Sequence, residues 1–341
     1  MSLSRRTFMK TGLATAALGV SAAHAAQTQA PAMLWGALLH MGTNMWSDVP
    51  VDAWGPFKGE QLKLVCQADH LRFDETVWQT LTARMAAAKM NLVVIDLGEA
   101  LQYESHPELA VKGSWSIERF RKELARLRGL GLEPIPKLNF STAHDTWLKA
   151  YGRQVSTPTY YAICADLIRE VCAIFDTPRF FHLGYDEETA GHQAKYSYAV
   201  VRHGDLWWHD FLFFVNTVEK CGVRPWIWSD YIWNHPAEFL QRMPKSVLQS
   251  NWYYGDSFDA AKQKYVQAYI DLDKAGFEQI PTGSNWSNDV NFKGTVEFCQ
   301  KNLASSRLKG FLMAPWFFTL PEWQEKNLKA IEQVEAMIKR G

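Results

Sequence analysis

A single-domain (β/α)8 TIM barrel is the fold class that the sequence predicts, on three observations. Short apolar runs alternate with amphipathic helical patterns along the chain, the mark of strand–helix units around a parallel sheet. The connections are lopsided, tiny from helix to strand and long from strand to helix in the first half. The first strand leads into "HMGTNMW", which lacks the glycine-rich phosphate turn usual in a doubly wound open sheet.

The strand candidates, in order, are "LWGALLHMG", "NLVVIDLG", "LEPIPKLNF", "RFFHLGYDE", "VRPWIWSDY", "SVLQSNWYY", "EQIPTGSNW" and "LKGFLMAPWF". Helical patterns lie between them, among them "TVWQTLTARMAAAKM", "SIERFRKELARLRGLG" and "DLWWHDFLFFVNTVEKCG", and "PEWQEKNLKAIEQVEAMIKR" comes last. Eight units in about 300 residues are what a closed barrel requires. Helix-to-strand links are as short as "KM", "CG" and "AG", whereas the first strand is followed by "GTNMWSDVPVDAWGPFKGEQLKLVCQADHLRF". Long loops at the carboxyl ends of strands are where barrels place their chemistry. These loops are rich in Trp, Tyr, His and carboxylates, so they predict a walled cleft.

The N-terminus reads separately. "MSLSRRTFMK" fits the twin-arginine export pattern S-R-R-x-F-x-K from Ser4 to Lys10. An apolar stretch follows, and Ala23 to Ala25 offer a small-x-small cleavage site. The expected organisation is a signal peptide over 1–25, a disordered lead-in over 26–33 and the barrel over 34–341. The expected location is the periplasm or the exterior, with the twin-arginine machinery as a partner. Lys+Arg and Asp+Glu are both 36, so nothing attracts a polyanion and nucleic acid is disfavoured. No later apolar run is long enough for a bilayer, so no membrane is expected for the mature form. The five cysteines lack C-x-x-C spacing and read as buried thiols.

The chemistry concentrates in "FHLGYDEETA". With a side-chain period of two, His182, Gly184 and Asp186 share one strand face, and Phe181, Leu183 and Tyr185 share the other. The bulky set suits the helices, so the His-Gly-Asp set should face the bore. Glu187 reaches the same cleft only if the chain turns as it leaves the strand. Glu188 reads as an ordinary acid at a loop or helix start.

"FHLGYDE" resembles the fourth-strand H-x-G-G-D-E signature of the family-20 glycoside hydrolases, the β-N-acetylhexosaminidases, with Tyr185 in place of the second Gly. Other strand ends resemble that family too. Glu99 falls where a sugar-binding Asp is usual, and His144 matches the His of a Pro-Gly-His motif. Trp228 to Asp230 resembles W-x-acid, Tyr254 to Asp256 resembles Tyr-x-Asp with Tyr253 open by register, and Trp316 matches a pocket-closing Trp. His40 stands where the family carries an Arg, and Phe318 where it carries a Glu.

Glycoside hydrolysis needs a proton donor and something to stabilise an oxocarbenium-like centre. Strand seven ends "TGSNW" without a carboxylate, which argues against the ordinary retaining layout. The resemblance implies a substrate-assisted route on a terminal 2-acetamido sugar. In it Glu187 is the acid and base, its pKa raised by the aromatic cleft and the Asp186 charge. Asp186 accepts the acetamido N–H and Tyr254 donates to its oxygen. His40, Glu99, His144, His182, Trp228, Asp230, Asp256 and Trp316 are the remaining substrate-binding candidates, and Trp226 and Trp252 join Trp228 and Trp316 as walls. Trp207 and Trp208 read as core. No cofactor or metal is expected. The alternatives are a catalytically degenerate glycan-binding barrel and a metal-dependent barrel hydrolase built on His40, His144, His182 and Asp186.

Overall fold

The computed structural model describes residues 33–340; the expected twin-arginine leader, and the expected lead-in up to residue 32, lie outside them. Eight parallel strands run in the order β6-β5-β4-β3-β2-β1-β8-β7. They are β1 (Leu34–His40), β2 (Leu92–Asp96), β3 (Glu133–Lys137), β4 (Phe180–His182), β5 (Arg224–Trp228), β6 (Leu248–Ser250), β7 (Thr282–Gly283) and β8 (Gly310–Met313). The seam between β6 and β7 is joined by the bridges Gln249–Gln279 and Trp252–Thr282. The amides of Ile280 and Thr282 donate there to the carbonyls of Gln249 and Asn251, each at 2.9 Å. The sheet thus closes on itself as a (β/α)8 barrel.

The helices are α1 (Glu75–Ala87), α2 (Ile117–Gly129), α3 (Pro158–Ile174), α4 (Ala190–Gln193), α5 (Gly204–Lys220), α6 (Pro236–Arg242), α7 (Lys264–Lys274), α8 (Asn291–Asn302) and α9 (Gln324–Ile338). Local chemistry starts several of them. Asp74, Ser116 and Thr157 accept from the amides of Val77, Arg119 and Tyr160, satisfying donors that a helix start leaves unpaired. None of the helices among the described residues is long and apolar enough to cross a membrane.

Strand alternation divides the core in two. Leu34, Leu38, Val94, Ile135, Phe180, Trp226, Trp228 and Leu312 fill the bore, while Trp35, Val93, Phe181, Ile227 and Phe311 pack outward beneath the helices. Trp207 and Trp208 of α5 are buried in the outer layer. Cys164, Cys172 and Cys299 are buried and Cys66 and Cys221 half-buried, all as free thiols. Two strands are shorter than their apolar runs. β4 stops at His182 because Gly184 and Tyr185 have φ of 68° and 75°, which no strand accommodates. β7 starts only after Pro281, which has no amide to give to a ladder.

Candidate active site

The carboxyl ends of the strands surround a cavity of about 500 Å³, the size of a small-ligand site. Its charged side comes from the β3 and β4 loops, with Asn139, His144, Asp186, Glu187, His192 and Lys195. Its aromatic side comes from Trp252 and Tyr254 after β6, Trp286 after β7 and Trp316 after β8. Met45, Trp46, Trp54 and Gly55 of the β1 loop complete the wall.

Three left-handed residues bring both acids of the β4 loop into this cavity. After β4 the chain passes through Gly184, Tyr185 and Glu187, the last with φ 57°. A Cβ on Gly184 would stand 2.1 Å from the Asn139 carboxamide oxygen, so that position has room only for glycine. The same oxygen accepts from the amides of Tyr185 (3.1 Å) and Ser141 (3.0 Å). Asn139 then donates through Nδ2 to Asp186 Oδ1 at 2.8 Å. One carboxamide therefore fixes the β4 turn to the β3 loop and orients the first acid.

Electrostatics ties the two acids to two histidines. His144 Nε2 lies 3.4 Å from Asp186 Oδ2 and 3.2 Å from Glu187 Oε2. Burial opposes a charge on this ring, but the two carboxylates outweigh it and hold the His144 pKa up to about 10. Burial would likewise raise Asp186, yet the His144 charge, Lys137 and the Asn139 hydrogen bond keep it below the usual carboxylate range. His192 of α4 adds its Nε2 at 2.8 Å from Glu187 Oε2. The expectation of a raised Glu187 is overturned. Burial does push it up, but hydrogen bonds from His144 and His192 bring it below its ordinary value.

Beneath the pair, Asp230 Oδ2 accepts the Glu187 amide at 2.9 Å. Burial, then the Asp186 charge, push the Asp230 pKa up to about 8. Glu188 corrects a second expectation, since its side chain is 3% exposed rather than solvated. Arg202 grips it from Nε and Nη2, both at 2.6 Å, and donates to Asp210 at 3.1 Å and to the Phe140 carbonyl at 3.0 Å. The residue next to Glu187 is thereby anchored in the outer core.

Of the sequence-predicted residues, Asp186, Glu187, His144, Trp252, Tyr254 and Trp316 line the cavity. The register between the two tyrosines is settled: Tyr254 faces the cavity, while Tyr253 packs on Phe258 and Tyr265. His40, His182, Trp228 and Asp230 lie at the inner end of the bore, outside the lining. Trp226 is also a bore residue, its indole donating to Ser250. Glu99 departs from its expected sugar contact, because its carboxylate accepts the amides of Thr43 (2.8 Å) and Asn44 (3.1 Å) and so folds the β1 loop. Asp256 is exposed, outside the lining. Trp46, Trp54, Trp286, His192 and Lys195 were missed. They sit on long loops or a four-residue helix, where no periodicity announces which way a side chain points.

His144, Asp186 and Glu187 could hold a metal ion, since one donor atom from each lies within 4.8 Å of the others. No family model matches the chain, and no curated protein matches it. Solved structures do. A β-N-acetylhexosaminidase from Bacteroides fragilis superposes with a TM-score of 0.57 at 14% identity, over 89% of this chain and 66% of that one. An N-acetyl-β-hexosaminidase from Streptomyces plicatus, solved with thio-NAglucal, gives 0.58 and 14% over 89% and 64%. A chitobiase from Flavobacterium johnsoniae gives 0.55 and 17% over 79% and 46%. This chain spans less than two thirds of the length of each, and at these identities the likeness establishes a shared barrel.

Proposed function

We propose that the chain is an exported glycoside hydrolase that removes a terminal 2-acetamido sugar by substrate-assisted, retaining hydrolysis. One observation carries this reading: the cavity lining holds two carboxylates, and they are neighbours in sequence. Ordinary retaining enzymes hold their acid and nucleophile about 5 Å apart on either side of the bond, and inverting enzymes hold them farther apart. Asp186 and Glu187 approach the substrate from one loop and not from either side of the bond, which favours a nucleophile supplied by the substrate itself, as the resemblance implies.

The acetamido oxygen attacks the anomeric carbon while Glu187 gives its proton to the departing oxygen. Glu187 then takes a proton from the water that opens the cyclic intermediate. Asp186, ionised by its surroundings, accepts the acetamido N–H and stabilises the positive charge as it develops. Tyr254, whose phenol burial keeps protonated, donates to the acetamido oxygen. Glu187 takes the proton for the first step from solvent: a bound sugar that shields it from water raises its pKa, while His144, 3.2 Å away, keeps its own proton and orients the carboxyl group. Trp252, Trp286 and Trp316 give flat apolar surface to the sugar. The similarity to hexosaminidase barrels supports the class of substrate. The twin-arginine pattern supports export.

The compact donor set of His144, Asp186 and Glu187 favours a metal hydrolase as the second reading. A ligand must be deprotonated to bind metal, and the raised pKa of His144 opposes that. Turnover of a chromogenic N-acetylglucosaminide and of the unsubstituted glucoside, each with and without chelator, decides the matter. We expect chelator-resistant activity confined to the N-acetyl substrate. Activity abolished by chelator marks the metal enzyme. Sugar binding without turnover marks a degenerate glycan-binding barrel.

A further inference from the structure

Two of the five cysteines stand at the carboxyl ends of neighbouring helices. Cys172 lies in the last turn of α3, and Cys221 directly follows α5. Each helix leads into the next strand, β4 or β5, so both thiols lie at the amino ends of the strands, across the barrel from the cavity.

The two helices pack side by side in parallel, and contacts at both ends fix their register. Near their starts the Tyr161 ring lies against Phe213 with centroids 4.7 Å apart, and the Tyr161 hydroxyl donates to Asp210. Just past their ends a Cβ added to Gly222 would stand 3.8 Å from Thr177 Cγ2, and the Arg224 amide donates to the Arg179 carbonyl at 3.2 Å. Tyr161 and Asp210 are 49 residues apart in sequence. Helices rise equally per residue, so the same offset carried along both, from 161 to 172 and from 210 to 221, brings Cys172 to Cys221. The two thiols are within hydrogen-bonding reach of one another.

Their surroundings differ. Cys172 is buried, and burial, then the neighbouring Cys221 thiol, pushes its pKa up. Cys221 is half-buried, its thiol donating to the Thr217 carbonyl at 3.4 Å, so a reagent in solvent has access to it. Cys66, Cys164 and Cys299 lie elsewhere, in the β1 loop, earlier on α3 and on α8.

We propose that Cys172 and Cys221 form a disulfide site, at which a disulfide oxidant joins α3 to α5 by a covalent bond. The Cys221 thiolate attacks one sulfur of the oxidant, forms a mixed disulfide and releases the first thiol. Cys172 then gives up its proton, attacks the Cys221 sulfur and releases the second. One Sγ–Sγ bond is made for the one broken, and two hydrogens with their electrons pass to the oxidant. The second step is the slower, because burial keeps the Cys172 thiolate scarce.

The bond closes the loop from 172 to 221 and so restricts the unfolded chain. It also staples a helix that supports the charged side of the cavity. Asp210 of α5 holds Arg202, and Arg202 holds Glu188 beside Glu187. The pairing stands whether or not the cavity takes a sugar. The proposed export supplies its setting, since oxidising compartments sustain disulfides.

Oxidised glutathione added to the folded wild-type protein tests the site. Thiols titrated in urea with dithionitrobenzoate should fall from five to three, and non-reducing peptide mass spectrometry should find the peptides of Cys172 and Cys221 joined. The oxidised protein should melt several degrees above the reduced one, and a reductant should reverse the rise. Cys221→Ser should form no link and gain no stability under the same treatment. A glutathione adduct that persists on Cys221 without a link to Cys172, a link between any other pair, or no loss of thiols overturns the disulfide site. A linked protein that melts no higher, or a rise in melting temperature that Cys221→Ser shares, overturns the staple.

Discussion

The two sides of the barrel mouth are built on opposite principles. On the β3–β4 side the charged lining groups come as partners: Asn139 on Asp186, His144 on both acids, His192 on Glu187, and Arg202 on Glu188 behind them. On the β6–β8 side the lining is Trp252, Tyr254, Trp286 and Trp316, and contact is made by ring faces and edges. A buried ionic network has few acceptable geometries, because an unpaired charge is expensive. An aromatic wall tolerates small displacements at little cost. On the proposed reading, the difference gives bond cleavage to the rigid side, and the holding and turning of the sugar to the adaptable one.

The sharpest break of this comparison is Glu187→Gln. It keeps the shape of the charged side and removes the transferable proton, so kcat on a chromogenic N-acetylglucosaminide should fall by about 10³-fold or more. The melting temperature should stay close to wild type. Wild-type turnover would move the chemistry away from this side altogether. Next in size is Arg202→Met, which leaves Glu188 and Asp210 as uncompensated buried charges. We expect about 3–5 kcal/mol lost from urea unfolding, with activity falling as well because Glu187 is tethered to the same turn.

His144 gives the charged side a pH signature. Its folded pKa of about 10 lies above its ordinary 6.5, so the folded state holds the proton more tightly. The stability it contributes is fully present below pH 6.5 and is lost as pH rises towards 10. Urea midpoints of the wild type should fall across that window, and those of His144→Gln should fall less, levelling off above about pH 8 once Asp230 has ionised. Equal slopes in the two proteins would show that the ring carries no such charge.

The same contrast explains what was legible in the sequence. Strand and helix periodicities are local, so the eight units and the division between bore and outer layer could be read directly. The β4 acids stood out because inward parity, a His and a Gly surrounded them, although parity itself ends at His182 and left-handed turns carry the chain onward. Tyr185 is instructive. It replaces the second Gly of the pattern it resembles, and its φ of 75° is one that glycine adopts freely. Packing against Trp207, Phe211 and Phe214, with the Arg202 guanidinium 4.8 Å from its ring, holds it there. That compensation is tertiary, as are the buried pairing of Glu188 and the turn of Glu99 into the β1 loop. Trp46, Trp54 and Trp286 belong to loops whose paths depend on one another, and no pattern within any one of them reveals the wall.

The smallest effect sharpens the comparison from the aromatic side. Trp252 is half-buried, T-shaped to Trp233 at 4.4 Å and tilted on Tyr254 at 4.9 Å, so it has its own support and offers the cavity one face. Removing it in Trp252→Ala takes away stacking surface worth about 1 kcal/mol, which is roughly a fivefold change in binding. A wall that holds the sugar equally in the ground and transition states contributes uniform binding, so KM should rise about fivefold with kcat little changed. If kcat falls and KM does not, Trp252 acts on the transition state, and the aromatic side takes part in the chemistry that the charged side was assigned alone.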